Sequence, residues 1–352
     1  MLGIKKWLLG LLTIMGVIVL AACSEEEQGV ERASLDEANI ETTLEPLSKP
    51  VDIKIGYPTQ GTSMLPLWVA KDAGIFEKYG VNAELIYIAG SPRVQETLNG
   101  NGIDVAITGI EAAGNAKAAG MDSVTFTALA NKMALYIYAS KDIDTSNLKE
   151  SLKGKTIIAG LEGSLYDYLA QDYVRSLGLE PKKDVKFLYM GGEGDRTAAF
   201  MKGDADLYLV APPTAFKIDD MGYPKIHDFS EQDVLISGLV MKTKDFNDKQ
   251  ELAEVLAASM IEANAYIKKN KEQTLEIIAK WTGIDDPELV EKTYDTNLFT
   301  IPDKPYITDE TVQFYLDNSQ IPEVKAMKPA DLINNSIVEK LDEAGFIDEV
   351  SK

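Results

Sequence analysis

From Val51 onward the chain alternates short apolar, β-branched runs with segments of helical period, and it does so in two rounds of matching spacing. A chain of this pattern buries its strands in parallel sheets covered by helices, which predicts a doubly wound α/β fold. The first round reads Asp52-Ile53-Lys54-Ile55-Gly56-Tyr57 as a strand, then a loop Thr59-Gln60-Gly61-Thr62-Ser63, then a helix with Leu65, Trp68, Val69 and Ala73 on one face. Ser63 suits an N-cap, Pro66 a first turn and Gly74 a C-terminal stop. Further strands are expected at 83–88, 104–108 and 124–130. The second round gives a strand at 155–159, a helix at 164–177 with Leu165, Leu169, Tyr173 and Leu177 at i+4 spacing, and strands at 185–190 and 206–210. Ser164 followed by Asp167 makes a capping-box start.

The rounds match in detail. Tyr87-Ile88-Ala89-Gly90 and Tyr189-Met190-Gly191-Gly192 each end a strand, Tyr87 to Asp104 and Tyr189 to Asp206 both span 17 positions, and Asn101 and Gly203 hold equivalent turn positions. This predicts a duplicated lobe. Open α/β sheets bind ligands outside the carboxyl ends of their strands, so two facing lobes hold a ligand in the cleft between them. After the second round an amphipathic helix is expected at 249–271, with Leu252, Leu256, Ile261 and Ile267 on its apolar face, and further helices at 272–281, 287–294 and 309–317.

Composition narrows the chemistry. A formal charge of -21 argues against nucleic acid and anionic lipid as partners, because the average field repels polyanions. His227 is the single histidine and Cys23 the single cysteine, so the chain has no His/Cys ligand set for a metal, needs no disulfide, and gives no sign of a cofactor. His227 lies between Ile226 and Asp228, outside every candidate loop, and is read as a surface or hinge residue.

The first residues carry Lys5-Lys6, an apolar stretch from 7 to 20, and then Leu20-Ala21-Ala22-Cys23 followed by Ser24-Glu25-Glu26-Glu27. The stretch is short for a membrane span and ends in small residues, as an export signal does. It resembles the bacterial lipobox, which implies removal of residues 1–22 and a lipid on Cys23, hence an extracytoplasmic protein held at the cell membrane. Residues 23–50, rich in Glu, Ser, Thr and Asn, read as a flexible tether of about a hundred ångströms at full extension.

Pro66-Leu67-Trp68-Val69-Ala70-Lys71-Asp72-Ala73-Gly74-Ile75-Phe76-Glu77-Lys78-Tyr79-Gly80-Val81, Gly102-Ile103-Asp104-Val105-Ala106-Ile107-Thr108-Gly109 and Leu152-Lys153-Gly154-Lys155 together resemble the nitrate/sulfonate/taurine-type substrate-binding proteins of ABC importers, a superfamily that also includes binders of thiamine-pyrimidine precursors. The resemblance covers residues 51–242. It implies a type II periplasmic-binding fold: two α/β lobes joined by two crossover strands, closing by hinge motion on one small solute, with a permease as partner and a monomer as the soluble state. The crossovers are expected at 135–140 and 234–241. The first lobe then comprises 51–139 and 237–352, the second 140–236.

The same resemblance points to loops after strands as ligand contacts. These supply Thr59, Gln60, Thr62, Ser63 and Met64; Thr108, Gly109 and Glu111; Glu162, Gly163, Ser164 and Tyr166; Gly192 and Arg196; and Pro212. Helix N-termini in such loops suit a sulfonate, carboxylate or nitrate. Arg196 is the one cation among them, either a bidentate anion clamp or a surface ion pair. Glu111, Glu162 and Glu193 are either first-turn carboxylates facing water, or contacts to an amine or aminopyrimidine, or partners of Arg196. Ser63 and Ser164 are hydroxyl donors or caps. Tyr57, Tyr166 and Tyr168 are candidate stacking faces, whereas Trp68 is expected in the core. Related folds include pyrimidine synthases that consume one of their own histidines and menaquinone-pathway enzymes, but the chain shows no nucleophile-base pair, metal set or phosphate cradle, so binding is expected rather than catalysis. A sensory or adhesive lipoprotein would use the same fold.

Overall fold

The computed structural model describes residues 44–232 and 234–352. The expected export signal, Cys23 and most of the expected tether lie outside the described residues. The tether expected to reach Pro50 is docked from residue 44 onward: Leu44 and Leu47 pack on the first core, and the Leu47 N–H donates to the Tyr79 carbonyl at 3.1 Å.

Among the described residues ten strands form two sheets. They are β1 (Val51–Tyr57), β2 (Val81–Tyr87), β3 (Val105–Thr108), β4 (Ser123–Ala130), β5 (Tyr136–Ala139), β6 (Thr156–Ile158), β7 (Lys186–Leu188), β8 (Leu207–Val210), β9 (Lys225–Asp228) and β10 (Ser237–Lys242). The orders are β2-β1-β3-β10-β4 and β7-β6-β8-β5-β9. In each sheet the first three strands are parallel, and one strand from beyond a crossing, β10 or β5, inserts antiparallel. The first three strands of the two sheets share one register. Ile55 pairs Leu85 and Val105, and Ile157 pairs Phe187 and Leu207, each residue of the second set standing 102 positions after its counterpart.

The repeated aspartates explain why the spacing recurs. Asp104 closes the turn into β3 by accepting the Lys54 N–H at 2.8 Å, while its own N–H donates to the Lys54 carbonyl at 2.9 Å. Asp206 makes the same pair with Thr156, at 2.8 and 2.9 Å. Asn101 and Gly203 both take left-handed backbone, φ 62° and 84°, which these residue types adopt at least cost.

Two strips connect the sheets, 131–135 and the described residues 229–232 and 234–236, and they are bonded to each other. The Phe229 N–H donates to the Leu135 carbonyl, Val234 to Asn131 and Ile236 to Ala130. The crossing residues therefore precede β5 and β10, and the expected crossover ranges overlap strands already inside a sheet. In particular β5, assigned from sequence to the first lobe, hydrogen-bonds to β8 and β9 in the second sheet. A fully buried run such as Tyr136-Ile137-Tyr138-Ala139 has no alternating face to say which sheet it joins. Strand β9, which contains His227, is likewise absent from the sequence reading.

The helices beyond β10 cover the first sheet. Gln250–Lys269 buries Leu256, Met260 and Ile267 in the same core as Ile55, Trp68 and Phe126, joined by Ile337 and Phe346 from the last two helices. Trp68 is fully buried and stacks on Trp281 at 5.6 Å, so its place is structural. Truncating it to alanine would cost about 3–5 kcal/mol.

Candidate functional site

The carboxyl ends of the parallel strands all run into helix N-termini. Helix Ser91–Asn99 follows β2, Ile110–Ala118 follows β3, Leu165–Ser176 follows β6, Glu193–Lys202 follows β7 and Thr214–Asp220 follows β8. After β1 a short 3-10 turn, Thr62–Met64, takes that place. The two lobes touch along these ends. The Asn115 side chain donates to the Gly163 carbonyl at 3.4 Å, and Gly90 sits so close to Leu161 that an added Cβ would lie 2.3 Å from its Cδ1. Two spaces remain. A groove of about 870 Å³ runs between Glu111, Asn115 and Tyr315 of the first lobe and Ser164, Asp167 and Tyr168 of the second. Deeper, by the connecting strips, a space of about 20 Å³ lies between Thr62, Ser63, Lys132 and Asn297 on one side and Tyr166 and Ala211 on the other. That deeper space holds about one water, so any solute there must enter with the lobes parted.

Arg196 stands against Tyr166, one of the residues that line the deeper space. It is 6% exposed, its guanidinium stands 5.1 Å over the Tyr166 ring, and its Nε has no hydrogen-bond partner. Burial raises the pKa of the Tyr87, Tyr166 and Tyr208 hydroxyls, and the Arg196 charge opposes that rise in all three. Tyr87 belongs to β2, so the cation is felt across the cleft. Glu193 acts on the same hydroxyls in the opposite sense, but its carboxylate is engaged by the Thr214 hydroxyl. Among the described residues no carboxylate forms an ion pair with Arg196. A buried cation without a counter-ion is costly, and an incoming anion removes that cost. Gly160 keeps the guanidinium approachable: at φ +70° it turns β6 into the loop, and a Cβ there would stand 3.0 Å from Ser164 Oγ and 3.4 Å from Arg196 Nη1.

Glu111 is the opposite case on the opposite lobe. It occupies the first turn of Ile110–Ala118, is 2% exposed, and neither carboxylate oxygen has a hydrogen bond of good geometry. Burial pushes its pKa up to about 8, with the backbone N–H groups of Glu111 itself and of Leu165 opposing weakly. The second of these belongs to the first turn of Leu165–Ser176, across the cleft. Among the described residues no cluster of His, Cys, Asp and Glu is arranged to hold a metal ion.

A family model described as the NMT1-like family matches residues 47–283. The chain belongs to that family. This NMT1-like protein is 22% identical over 342 residues to "Putative binding protein YtlA" of Bacillus subtilis (strain 168), spanning 94% of this chain and 95% of that one. Its fold matches the periplasmic nitrate-binding protein NrtA from Synechocystis PCC 6803 with a TM-score of 0.73 at 15% identity, over 87% of this chain and 92% of that one. It also matches the alkanesulfonate-binding protein SsuA from Xanthomonas axonopodis pv. citri bound to MOPS, with a TM-score of 0.67 at 17% identity, over 82% and 100% of the two chains. The two-lobe periplasmic-binding fold is thus the fold of this family member.

Around the cleft of this NMT1-like chain the residues named from sequence separate into groups. Thr62, Ser63 and Tyr166 line the deeper space, while Glu111, Glu162, Gly163 and Ser164 line the groove. Thr108 is fully buried with its hydroxyl unpartnered, and Gly109 lies against the Glu111 carboxylate, where a Cβ would come within 2.4 Å. Gly192 is the N-cap of Glu193–Lys202, and Pro212, buried, is joined to Pro213 by a cis bond beside Ala211. Ser164 caps its helix by accepting the Asp167 N–H at 3.4 Å, but the return bond from Asp167 goes to the Gly163 N–H. Other placements differ from expectation. Met64 is buried in the first core, Gln60 is exposed, the Thr59 hydroxyl accepts the Gly61 N–H, and Ser63 is inside the 3-10 turn rather than capping it. Glu162 points outward in an exposed ion pair with Lys182 at 2.6 Å.

Several contributors lay beyond sequence reasoning. Asn297 accepts the Thr62 hydroxyl at 2.7 Å from 235 positions away, and Tyr315 donates to the Asn115 side chain at 2.8 Å. Both come from C-terminal helices whose period reveals a buried face but not what it meets. His227 packs against Tyr173 and Phe229, ring centroids 4.7 and 4.3 Å away, and burial lowers its pKa.

Proposed function

We propose that this chain is the solute-binding component of an ABC import system, taking an anionic solute of the sulfonate, carboxylate or nitrate class into the interlobe cleft and presenting it to a membrane permease. The observation that carries this reading is Arg196: a buried guanidinium over the Tyr166 ring, with no ion pair among the described residues. An oxoanion there gains charge-assisted hydrogen bonds, and Ser63, Ser164 and the N-terminus of Leu165–Ser176 supply further donors. The names of the structural relatives, nitrate-binding and alkanesulfonate-binding, support the same solute class. No covalent step is involved. Parting of the lobes about the two connecting strips admits the solute, and closure follows because the closed form binds it more tightly.

Export and anchoring belong to the same reading: removal of residues 1–22, a lipid on Cys23, and a monomer tethered outside the membrane. Replacing Cys23 by Ser should release the protein from the membrane fraction. The binding reading is tested by thermal shift with alkanesulfonates, carboxylates, nitrate and aminopyrimidines. A true solute at a hundred times its dissociation constant stabilises by about 2.7 kcal/mol. Stabilisation by aminopyrimidines alone would overturn the anion assignment.

A further inference from the structure

Tyr168, a candidate stacking face for the solute, stacks on the opposite lobe instead. Its ring stands edge-on to Phe314 and Tyr315 of helix Asp309–Asn318, with centroids 6.2 and 5.8 Å away, and its hydroxyl donates to the Phe314 carbonyl at 3.3 Å. We propose that Tyr168 is the catch of the clamp, a second-lobe side chain received by this C-terminal helix of the first lobe so that the closed form is favoured whatever solute it holds. The inference rests on capture between the lobes and not on the anionic class of the solute.

Three observations carry the step. Tyr168 packs against two cores at once, that of the second lobe with Leu169 and Tyr173, and a first-lobe cluster that contains Ile110, Val312 and Leu316. The first-lobe contacts are made while the lobes are together and lost when they part, so the attraction in them acts on closure. The receiving surface is fixed by first-lobe contacts of its own. The Tyr315 hydroxyl lies 2.8 Å from the Asn115 side-chain oxygen and 3.2 Å from the Glu111 carbonyl, and its ring is so near Gly114 that a Cβ there would stand 2.7 Å from Cε1. Asn115, oriented in this way, reaches on to the Gly163 carbonyl of the second lobe at 3.4 Å. Finally, the catch is separate from the deeper space. Tyr166 lines that space whereas Tyr168 lines the outer groove, since residues two apart on a helix point to different sides.

Helix Asp309–Asn318 lies beyond residues 47–283, so the receiver comes from outside the part of the chain by which the family is recognised. A catch acts on the closing equilibrium alone. Favouring the closed form multiplies the affinity of every solute by one factor, set by the gain in closed population, and leaves the ranking of solutes unchanged. That separates Tyr168 from a residue that touches solute, whose loss changes the ranking.

The test uses the full chain with Cys23 replaced and fluorophores at the exposed positions 84 and 186, carrying Tyr168→Ala, Tyr168→Phe or Phe314→Ala. Without solute, Tyr168→Ala should move resonance energy transfer toward the longer distance, and Phe314→Ala part of the way. Tyr168→Phe, which keeps both ring contacts, should stay close to wild type. In calorimetric titrations with nitrate, ethanesulfonate and propionate, each solute that binds should lose one common factor in Tyr168→Ala, on the order of tenfold for two aromatic contacts. The double variant Tyr168→Ala/Phe314→Ala should lose no more than Tyr168→Ala alone, because the two residues share one contact. Wild-type distances in solute-free Tyr168→Ala, or losses that differ by more than about threefold between solutes, overturn the catch. If Tyr168→Ala fails to fold, Phe314→Ala decides by the same two readings. Failure of all three solutes to bind overturns the anion reading, and the solute-free distances still judge the catch.

Discussion

The two lobes share one register yet present opposite chemistry at their tips. Position 196 of the second lobe corresponds, 102 residues earlier, to Val94, which is fully buried among Leu98, Ile103 and Ala106 under the first sheet. At the same point in the same helix, one lobe places a packing residue and the other a buried cation. Glu111 corresponds in turn to Pro213, so the first lobe carries the buried acid and the second an imino acid that cannot titrate. The frame of strands, aspartate-closed turns and left-handed residues is common to both lobes, and the difference lies in the first turns of helices at the strand ends. Those first turns are where a change of residue alters the cleft without disturbing a sheet.

The largest expected effect comes from giving the second lobe its counterpart's residue. Arg196→Val should weaken binding of the oxoanion that scores highest in the thermal-shift panel by about 30-fold or more, since truncating one partner of a buried charge pair costs about 2–5 kcal/mol. The solute-free protein should melt no lower than wild type, because an unpaired buried cation is removed. Titration and scanning calorimetry read the two effects separately, and unchanged affinity would remove Arg196 from the site.

The equivalent N-cap glycines sharpen the comparison further. Gly90 has φ +92° and no room for a Cβ beside Leu161, whereas Gly192 has φ -76° and its Cβ would meet only the Asp195 carboxylate at 3.0 Å. Gly90→Ala is expected to cost about 1–2 kcal/mol, and more if Leu161 cannot shift, while Gly192→Ala stays within about 0.5 kcal/mol. Urea unfolding of both variants decides, and equal costs would mean that the lobes do not meet at Gly90.

A smaller, pH-dependent effect separates Glu111 from Pro213. Its pKa rises on folding from 4.5 to about 8, so the folded state binds the extra proton. Its stabilising contribution is complete below 4.5 and is lost as pH climbs through about 8. His227, whose pKa burial lowers from 6.5, works in the other direction, favouring the folded state above that value. The melting temperature of wild type relative to Glu111→Gln should therefore fall between pH 5 and pH 8, by several degrees, since a domain of this size shifts by about 2 °C or more per kcal/mol. A constant difference would contradict the burial of this carboxyl.

The smallest effect is expected at Glu162. Its ion pair with Lys182 has 67% and 46% of the two side chains exposed. Glu162→Gln should change stability by less than about 0.5 kcal/mol and leave solute affinity unaltered, checked by the same unfolding and titration series.

Much of the frame was legible in the chain because local rules fix it. The aspartates at 104 and 206, the Asn/Gly turn positions and the Ser164 cap announce themselves by spacing, and each makes the bond that spacing demands. The crossings were less legible, since β5 and β10 are buried on both faces and carry no alternation. At the cleft, Arg196 and Glu111 could be named but not weighed. Whether a first-turn charge faces water or a closed interior depends on the opposite lobe, and Glu162 shows the outward outcome three residues before the helix that Glu111 faces. Asn297 and Tyr315 reach the cleft from helices packed by long-range contacts, which no local period encodes.

The most direct measurement is the distance between the lobes with and without solute. Fluorophores placed at the exposed positions 84 on β2 and 186 on β7, after Cys23 has been replaced, report it by resonance energy transfer. A saturating oxoanion should shift the population to the shorter distance in wild type and leave Arg196→Val unmoved. A bound solute that produces no change in wild type, or the same change in the variant, would contradict capture between the lobes at Arg196.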